Sequence, residues 1–150
     1  MQAAFRLALV FAAVAVAAPL SAASLGSATS NEGFTIDLTS VERKGNVVTV
    51  KWAVKNDNPK AKYYDIDLAG KGATSYLVDE ESGTKYYALT DKEGNLLATE
   101  TEYDGIYESI EPGETKRFWA KFPAPPPAVK TINVLFSKSD PFESIAITDK

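Results

Sequence analysis

From Phe34 onward the chain alternates apolar and polar residues with a period of two. Phe34, Ile36 and Leu38 alternate with Thr35, Asp37 and Thr39. After a turn at Lys44-Gly45-Asn46, Val48, Val50, Trp52 and Val54 face one way while Thr49, Lys51 and Lys55 face the other. Successive side chains of a strand leave opposite faces, so this pattern is that of a half-buried strand. No 11-residue window after the first 23 residues carries a helical apolar stripe, which rules out a helical bundle.

The pattern continues with turn residues between its segments. Asn56-Asp57-Asn58-Pro59 closes the second strand, and Tyr64, Ile66 and Leu68 then alternate with Asp65 and Asp67 up to Gly70-Lys71-Gly72. Ala61 to Tyr64 has room for a single turn of helix. Ser75–Val78 and Thr84–Thr90 flank Glu81-Ser82-Gly83, a hairpin signature. Asp91–Asn95 is a further turn before Leu96-Leu97. Glu111-Pro112-Gly113-Glu114 suits a type II turn, with proline second and glycine third. Thr115–Phe122 points Phe118, Ala120 and Phe122 inward, and Thr131–Phe136 points Ile132, Val134 and Phe136 inward. Between them, Pro123–Pro127 cannot occupy a central strand and is expected to cross between sheets. Ile145 and Ile147 end the chain in another strand. Short strands at a spacing of about 8–12 residues predict an all-β sandwich or barrel.

The N-terminus reads differently. Arg6 is followed by an apolar run from Leu7 to Ala18, then Pro19 and the small residues Ser21-Ala22-Ala23. A basic start, a short apolar core and a small-residue site form a secretory signal. A membrane-spanning helix needs about 20 apolar residues, more than this run supplies. Residues 1–23 are therefore expected to be a signal peptide cleaved after Ala23, with no membrane association afterwards. Residues 24–31 read as a flexible mature N-terminus, and residues 32–150 as the folded domain.

Composition narrows the chemistry. The 150 residues include no Cys and no His. That removes Ser-His-Asp and Cys-His nucleophilic sites, Cys/His zinc sites, iron–sulfur clusters and disulfides. The exported domain must then rely on its core. The net charge of −4 argues against nucleic acid as a partner.

Several segments resemble a known module: Tyr76-Leu77-Val78-Asp79, Ser82–Leu89, Asp91-Lys92-Glu93-Gly94, Pro112-Gly113-Glu114, Phe118–Pro126, Val129–Val134 and Pro141–Ile147. They are similar to an immunoglobulin-like module of exported bacterial proteins, the kind often found before an OmpA-like peptidoglycan-binding domain. More loosely, the body is similar to small secreted immunoglobulin-like antigens of actinobacteria. The resemblance implies a two-sheet immunoglobulin-like β-sandwich of about seven to eight strands. It lies in turn and packing motifs, covers about half the chain and does not extend to an OmpA-like domain. The family often carries cysteines near Leu96-Leu97, and this chain has none. Peptidoglycan binding is not carried over.

Three groups of residues are candidates for chemistry. Acidic loops at Asp79-Glu80-Glu81 and Asp91/Glu93, with Asp65/Asp67 on a strand, lack the spacing of a calcium loop and read as solvated faces and turns. The chain has no insertion long enough for a deep catalytic cleft, so no catalytic residues are expected, and with no His or Cys and no calcium-loop spacing neither a metal nor a cofactor site is expected. Among the aromatics, Trp52 is expected in the core and Trp119 on the opposite face beside Lys121. Tyr63, Tyr86, Tyr87, Tyr103 and Tyr107 either pair across strands or meet a ligand.

Thr99–Ser109 breaks the strand rhythm with Tyr103 and Tyr107 among four acids, and reads as an acidic loop or irregular edge. Tyr103 and Tyr107 are the candidate partner surface. The expectation is a non-catalytic interaction or structural module in the periplasm or outside the cell, with an unknown protein or cell-wall partner. The alternatives are a carbohydrate- or cell-wall-binding module using exposed tyrosines, and a calcium-stabilised adhesion-type domain.

Overall fold

The computed structural model describes residues 23–150 apart from 71 and 100. The signal segment lies outside the described residues except for Ala23. Among the described residues there is no helix, and antiparallel sheets surround one apolar core. The main sheet contains β1 (Gly26–Thr29), β2 (Phe34–Lys44), β3 (Val47–Asn56) and β9 (Thr115–Pro123), in the order β1-β2-β3-β9. A second sheet runs β11 (Phe142–Ala146), β10 (Thr131–Leu135), β5 (Tyr76–Asp79), β6 (Thr84–Tyr86). A third sheet runs β4 (Lys62–Asp67), β8 (Gly105–Ile110), β7 (Thr101–Glu102). The last strand, β12 (Thr148–Asp149), pairs in parallel with the end of β2.

The alternating sets become the core. Phe34, Ile36, Leu38, Val48, Val50, Trp52 and Val54 are buried on the main sheet, as are Phe118, Ala120 and Phe122. They face Tyr64, Ile66, Leu68, Ile132, Val134 and Phe136, also buried. Trp52 lies between Phe136, at 4.6 Å between ring centroids, and Phe118, at 6.0 Å. Such ring contacts add to the stabilisation from buried area.

One irregularity re-aims β2. The register passes from Leu38↔Trp52 to Ser40↔Lys51, leaving Thr39 as a bulge. A bulge inserts one residue and so switches the inward parity. Before it the inward positions are 34, 36 and 38; after it Val41 and Arg43 are buried.

The turns follow their sequences. Glu114 N–H donates to the Glu111 carbonyl at 3.0 Å, and Gly113 has φ +74°. Only glycine adopts that conformation freely, as a type II turn requires. β5 and β6 form the hairpin around Glu81-Ser82-Gly83, with Asp79 opposite Thr84. The proline segment crosses from β9 in the main sheet to β10 in the second.

Four expectations are corrected. Residues 24–31 are not a flexible tail, because Gly26–Thr29 pairs with Leu38–Thr35 as β1. Small residues suit this position, since a Cβ on Gly26 would lie only 3.1 Å from the Phe142 ring. Of the two readings of Thr99–Ser109, the loop is corrected, because the segment holds β7 and most of β8, while β7 does form the edge of its sheet. Ala61–Tyr64 forms no helical turn, because strand β4 begins at Lys62. The strand expected over Thr84–Thr90 stops at Tyr86.

Buried polar groups hold the ends together. The Asn56 side chain donates to the carbonyls of Lys60, at 2.9 Å, and Ile110, at 2.8 Å. Its oxygen accepts from the Asn58 backbone and side chain. The turn residues Asn56-Asp57-Asn58 therefore weld β3 to the end of β8.

Candidate functional site

The site lies on the outward face of β4, β8 and β7. β4 pairs with β8 in the register Tyr63↔Ser109, Asp65↔Tyr107, Asp67↔Gly105. Because Tyr64 and Ile66 face the core, Tyr63, Asp65 and Asp67 must face outward. Tyr63 and Tyr107 are diagonal neighbours across the two strands, and their rings stack at 4.5 Å with an angle of 10°. Both remain about half exposed, at 53% and 44%.

β7 and β8 form a tight hairpin, with Glu102 opposite Gly105 and Tyr103-Asp104 as its two loop residues. The tip is held from below, where the Asp104 carbonyl accepts the backbone N–H groups of Leu68, at 3.0 Å, and Ala69, at 2.9 Å. Gly105 permits this close approach, because a Cβ there would collide with the Ile66 carbonyl oxygen. Tyr103 pays for the tight turn with φ +53°, a conformation that costs a residue bearing a Cβ about 1–2 kcal/mol. Its ring is 92% exposed and gains nothing from the core.

Between the hairpin tip and the tyrosine stack lies a groove of about 470 Å³, bordered by Asp65, Asp67, Glu102, Tyr103, Asp104 and Tyr107. Asp65 and Asp67 also border a neighbouring groove of about 480 Å³ on the far side of β4, which reaches Phe136 and Lys138. The Lys138 ammonium lies 3.4 Å from Glu32 and 3.7 Å from Asp65. Among the described residues, Asp67, Glu102 and Asp104 have no ion-pair partner. Nor do three of the described acids converge closely enough to hold a metal ion.

The two residues singled out in the sequence thus come to one surface, Tyr103 at its tip and Tyr107 at its centre. Tyr86 and Tyr87 do not join them. Tyr86 packs partly against the core, and the Tyr87 ring lies 5.8 Å from that of Tyr76, tilted by 56°. Trp119 is 37% exposed on the main sheet's outer face, with the Lys121 ammonium 5.9 Å from its ring. Sequence reasoning did not single out the Tyr63 stack. In the sequence Tyr63 is only one of five tyrosines that either pair across strands or meet a ligand; it stacks across strands on Tyr107, whose strand comes more than forty residues later.

Comparison with models of known families, with curated proteins and with solved structures finds no match.

Proposed function

We propose that this chain is an exported, non-catalytic interaction module whose contact surface is the outward face of β4, β8 and β7. The observation that carries the reading is Tyr103. A large aromatic ring stands almost fully in solvent on a backbone conformation that disfavours it. Neither packing nor local propensity accounts for a tyrosine there, and strained exposed residues cluster where a surface is used. The stacked Tyr63 and Tyr107 beside it supply rigid aromatic area within a polar rim, as protein contacts use.

Two further parts belong to the proposal. The first is an immunoglobulin-like sandwich. The order β2-β3-β9 with residues 97–99 beside β9, and the order β5-β10-β11, support it, because they correspond to the A-B-E-D and C-F-G sheets of that fold. In this reading β4, β7 and β8 are an addition that carries the contact surface. The second is export. Among the described residues, the first backbone pairing is Leu25 N–H to the Leu38 carbonyl, just after the small-residue site ending at Ala23, so cleavage there would keep every described backbone pairing.

The test compares Tyr103→Asn and Tyr107→Ser with the native protein. Asparagine tolerates the left-handed conformation, so Tyr103→Asn should leave stability unchanged or raise it by about 1 kcal/mol. The same variant should lose recovery of partner protein or cell-wall material in a pull-down from the native envelope. Lost stability with unchanged recovery would make the tyrosines structural. Mass measurement of the exported protein should give Ser24 as its first residue, and an intact Met1 would refute the export reading.

A further inference from the structure

We propose that the outward face of β4, β7 and β8 recognises a cationic segment, one that presents Lys or Arg side chains in an extended chain. This rests on the contact surface proposed above and specifies its partner chemistry. Asp67, Glu102 and Asp104 border one groove without an ion-pair partner among the described residues. The fourth acid, Asp65, is approached at 3.7 Å by the protein's own lysine, Lys138. A primary ammonium at the edge of this surface shows the kind of group its carboxylates attract.

The tyrosines fit the same partner. A cation over a tyrosine face is attracted by the ring quadrupole, and a cationic stem covers apolar ring area with its methylenes. Tyr103 offers both ring faces at 92% exposure, whereas Tyr63 and Tyr107 each have one face covered by the other. The acids are too dispersed to hold a single metal ion, since no three of the described ones converge. A row of separated charges suits an extended chain with spaced cations. Two described lysines, one on β4 and one on β9, are engaged elsewhere. Lys62 donates to the Glu32 carbonyl, and Lys116 pairs with Glu108. A second copy of this chain is a poorer fit, because two such faces would bring like charges together.

The mature protein would be titrated with a hexalysine peptide, a hexaglutamate peptide and a chitooligosaccharide, read by calorimetry. Hexalysine should bind, and its affinity should fall about tenfold as salt rises from 50 to 300 mM, because exposed charges are screened. Asp67→Asn/Glu102→Gln/Asp104→Asn should weaken it by at least about tenfold, and Tyr103→Asn by about threefold to fivefold. Glu80→Gln/Glu81→Gln/Glu93→Gln removes the same charge elsewhere on the exposed surface and should have little effect.

Equal weakening by both triple variants would overturn the proposal, reducing it to net charge. Binding of the chitooligosaccharide alone, no binding at all, or sedimentation showing self-association through this face would also overturn it. If Tyr103→Asn abolishes pull-down of the native partner while the acidic triple variant retains it, the contact surface stands and the cationic segment falls.

Discussion

The Arg43 guanidinium grips the Asp149 carboxylate with two hydrogen bonds, Nε to Oδ1 at 2.6 Å and Nη2 to Oδ2 at 3.1 Å. The pair ties the inner end of β2 to the last strand. Arg43 is 4% exposed, and its remaining donors reach the proline crossover. Nη1 donates to the carbonyls of Pro125, Pro126 and Val129, and Nη2 to that of Pro127. A run of prolines has carbonyls but no N–H groups, so it cannot satisfy itself through a ladder. A guanidinium with five donors in a planar fork meets that need from a single side chain.

Arg43→Met should therefore be among the most damaging single changes outside the apolar core. It leaves several buried carbonyls without donors, each costing about 1–3 kcal/mol, partly relieved by water. A total of about 3 kcal/mol is expected in denaturant unfolding. Asp149→Asn keeps a hydrogen-bonding oxygen and sits on the exposed side, so it should cost clearly less. Equal losses from the two variants would locate the stabilisation in the ion pair and not in the crossover.

Stability should fall on the acid side. The hydrogen bond from Arg43 holds the Asp149 carboxyl below its ordinary range, and Lys150 does the same for Glu42, Lys55 for Asp57 and Asn95 for Asp91. A carboxyl whose folded value is depressed contributes its stabilisation above its unfolded value, about 4, and loses it as pH falls through the folded value. The melting temperature should thus be flat near neutrality and drop below about pH 4. Asp149→Asn should make the drop shallower, and an unchanged acid limb in that variant would contradict the assignment.

The apolar core was legible because alternation is a local signal. Phe34, Ile36 and Leu38, or Ile132, Val134 and Phe136, could be assigned from their own neighbours alone. The turn at Glu111–Glu114 was legible for the same reason. Arg43 was not, because the bulge at Thr39 moves it inward and nothing within the strand announces a bulge. β1 was hidden by its composition, as Gly26, Ser27 and Ala28 carry no strand preference, and a side chain at residue 26 would crowd the Phe142 ring. At the candidate site, Tyr103 and Tyr107 stood out among the acids. Their grouping with Tyr63 depends on the pairing of β4 with β8 across some forty intervening residues, which a local pattern does not encode.

The two tryptophans should separate the inner face of the main sheet from its outer one. Trp52 is 1% exposed and is held between Phe136 and Phe118. Trp52→Ala should cost about 3–5 kcal/mol, the range for a large buried side chain. Trp119→Ala removes a ring that is 37% exposed, and should cost about 1 kcal/mol. Urea unfolding of the two variants tests this, and comparable destabilisation would contradict the face assignment.

Tyr64 should set the alkaline limit. Its ring packs against Phe34 at 5.6 Å and Phe118 at 5.4 Å, and it is almost wholly buried. Burial pushes its hydroxyl above the ordinary phenol range, while the Trp52 indole acts more weakly in the opposite direction. Neither the Tyr64 hydroxyl nor the Trp52 N–H completes a hydrogen bond. The folded value is raised, so the contribution is intact below the unfolded value of about 10 and is lost as pH rises past it. Removing the hydroxyl eliminates a buried polar atom that has no partner. Tyr64→Phe should then change stability at neutral pH by less than about 1 kcal/mol, or raise it. Above about pH 10 the native protein should lose melting temperature faster than Tyr64→Phe, because only the native unfolded chain gains an ionised phenol at this position. Parallel alkaline limbs would show that ionisation elsewhere sets the limit, and a large loss at neutral pH would show that the hydroxyl is held by a bond after all.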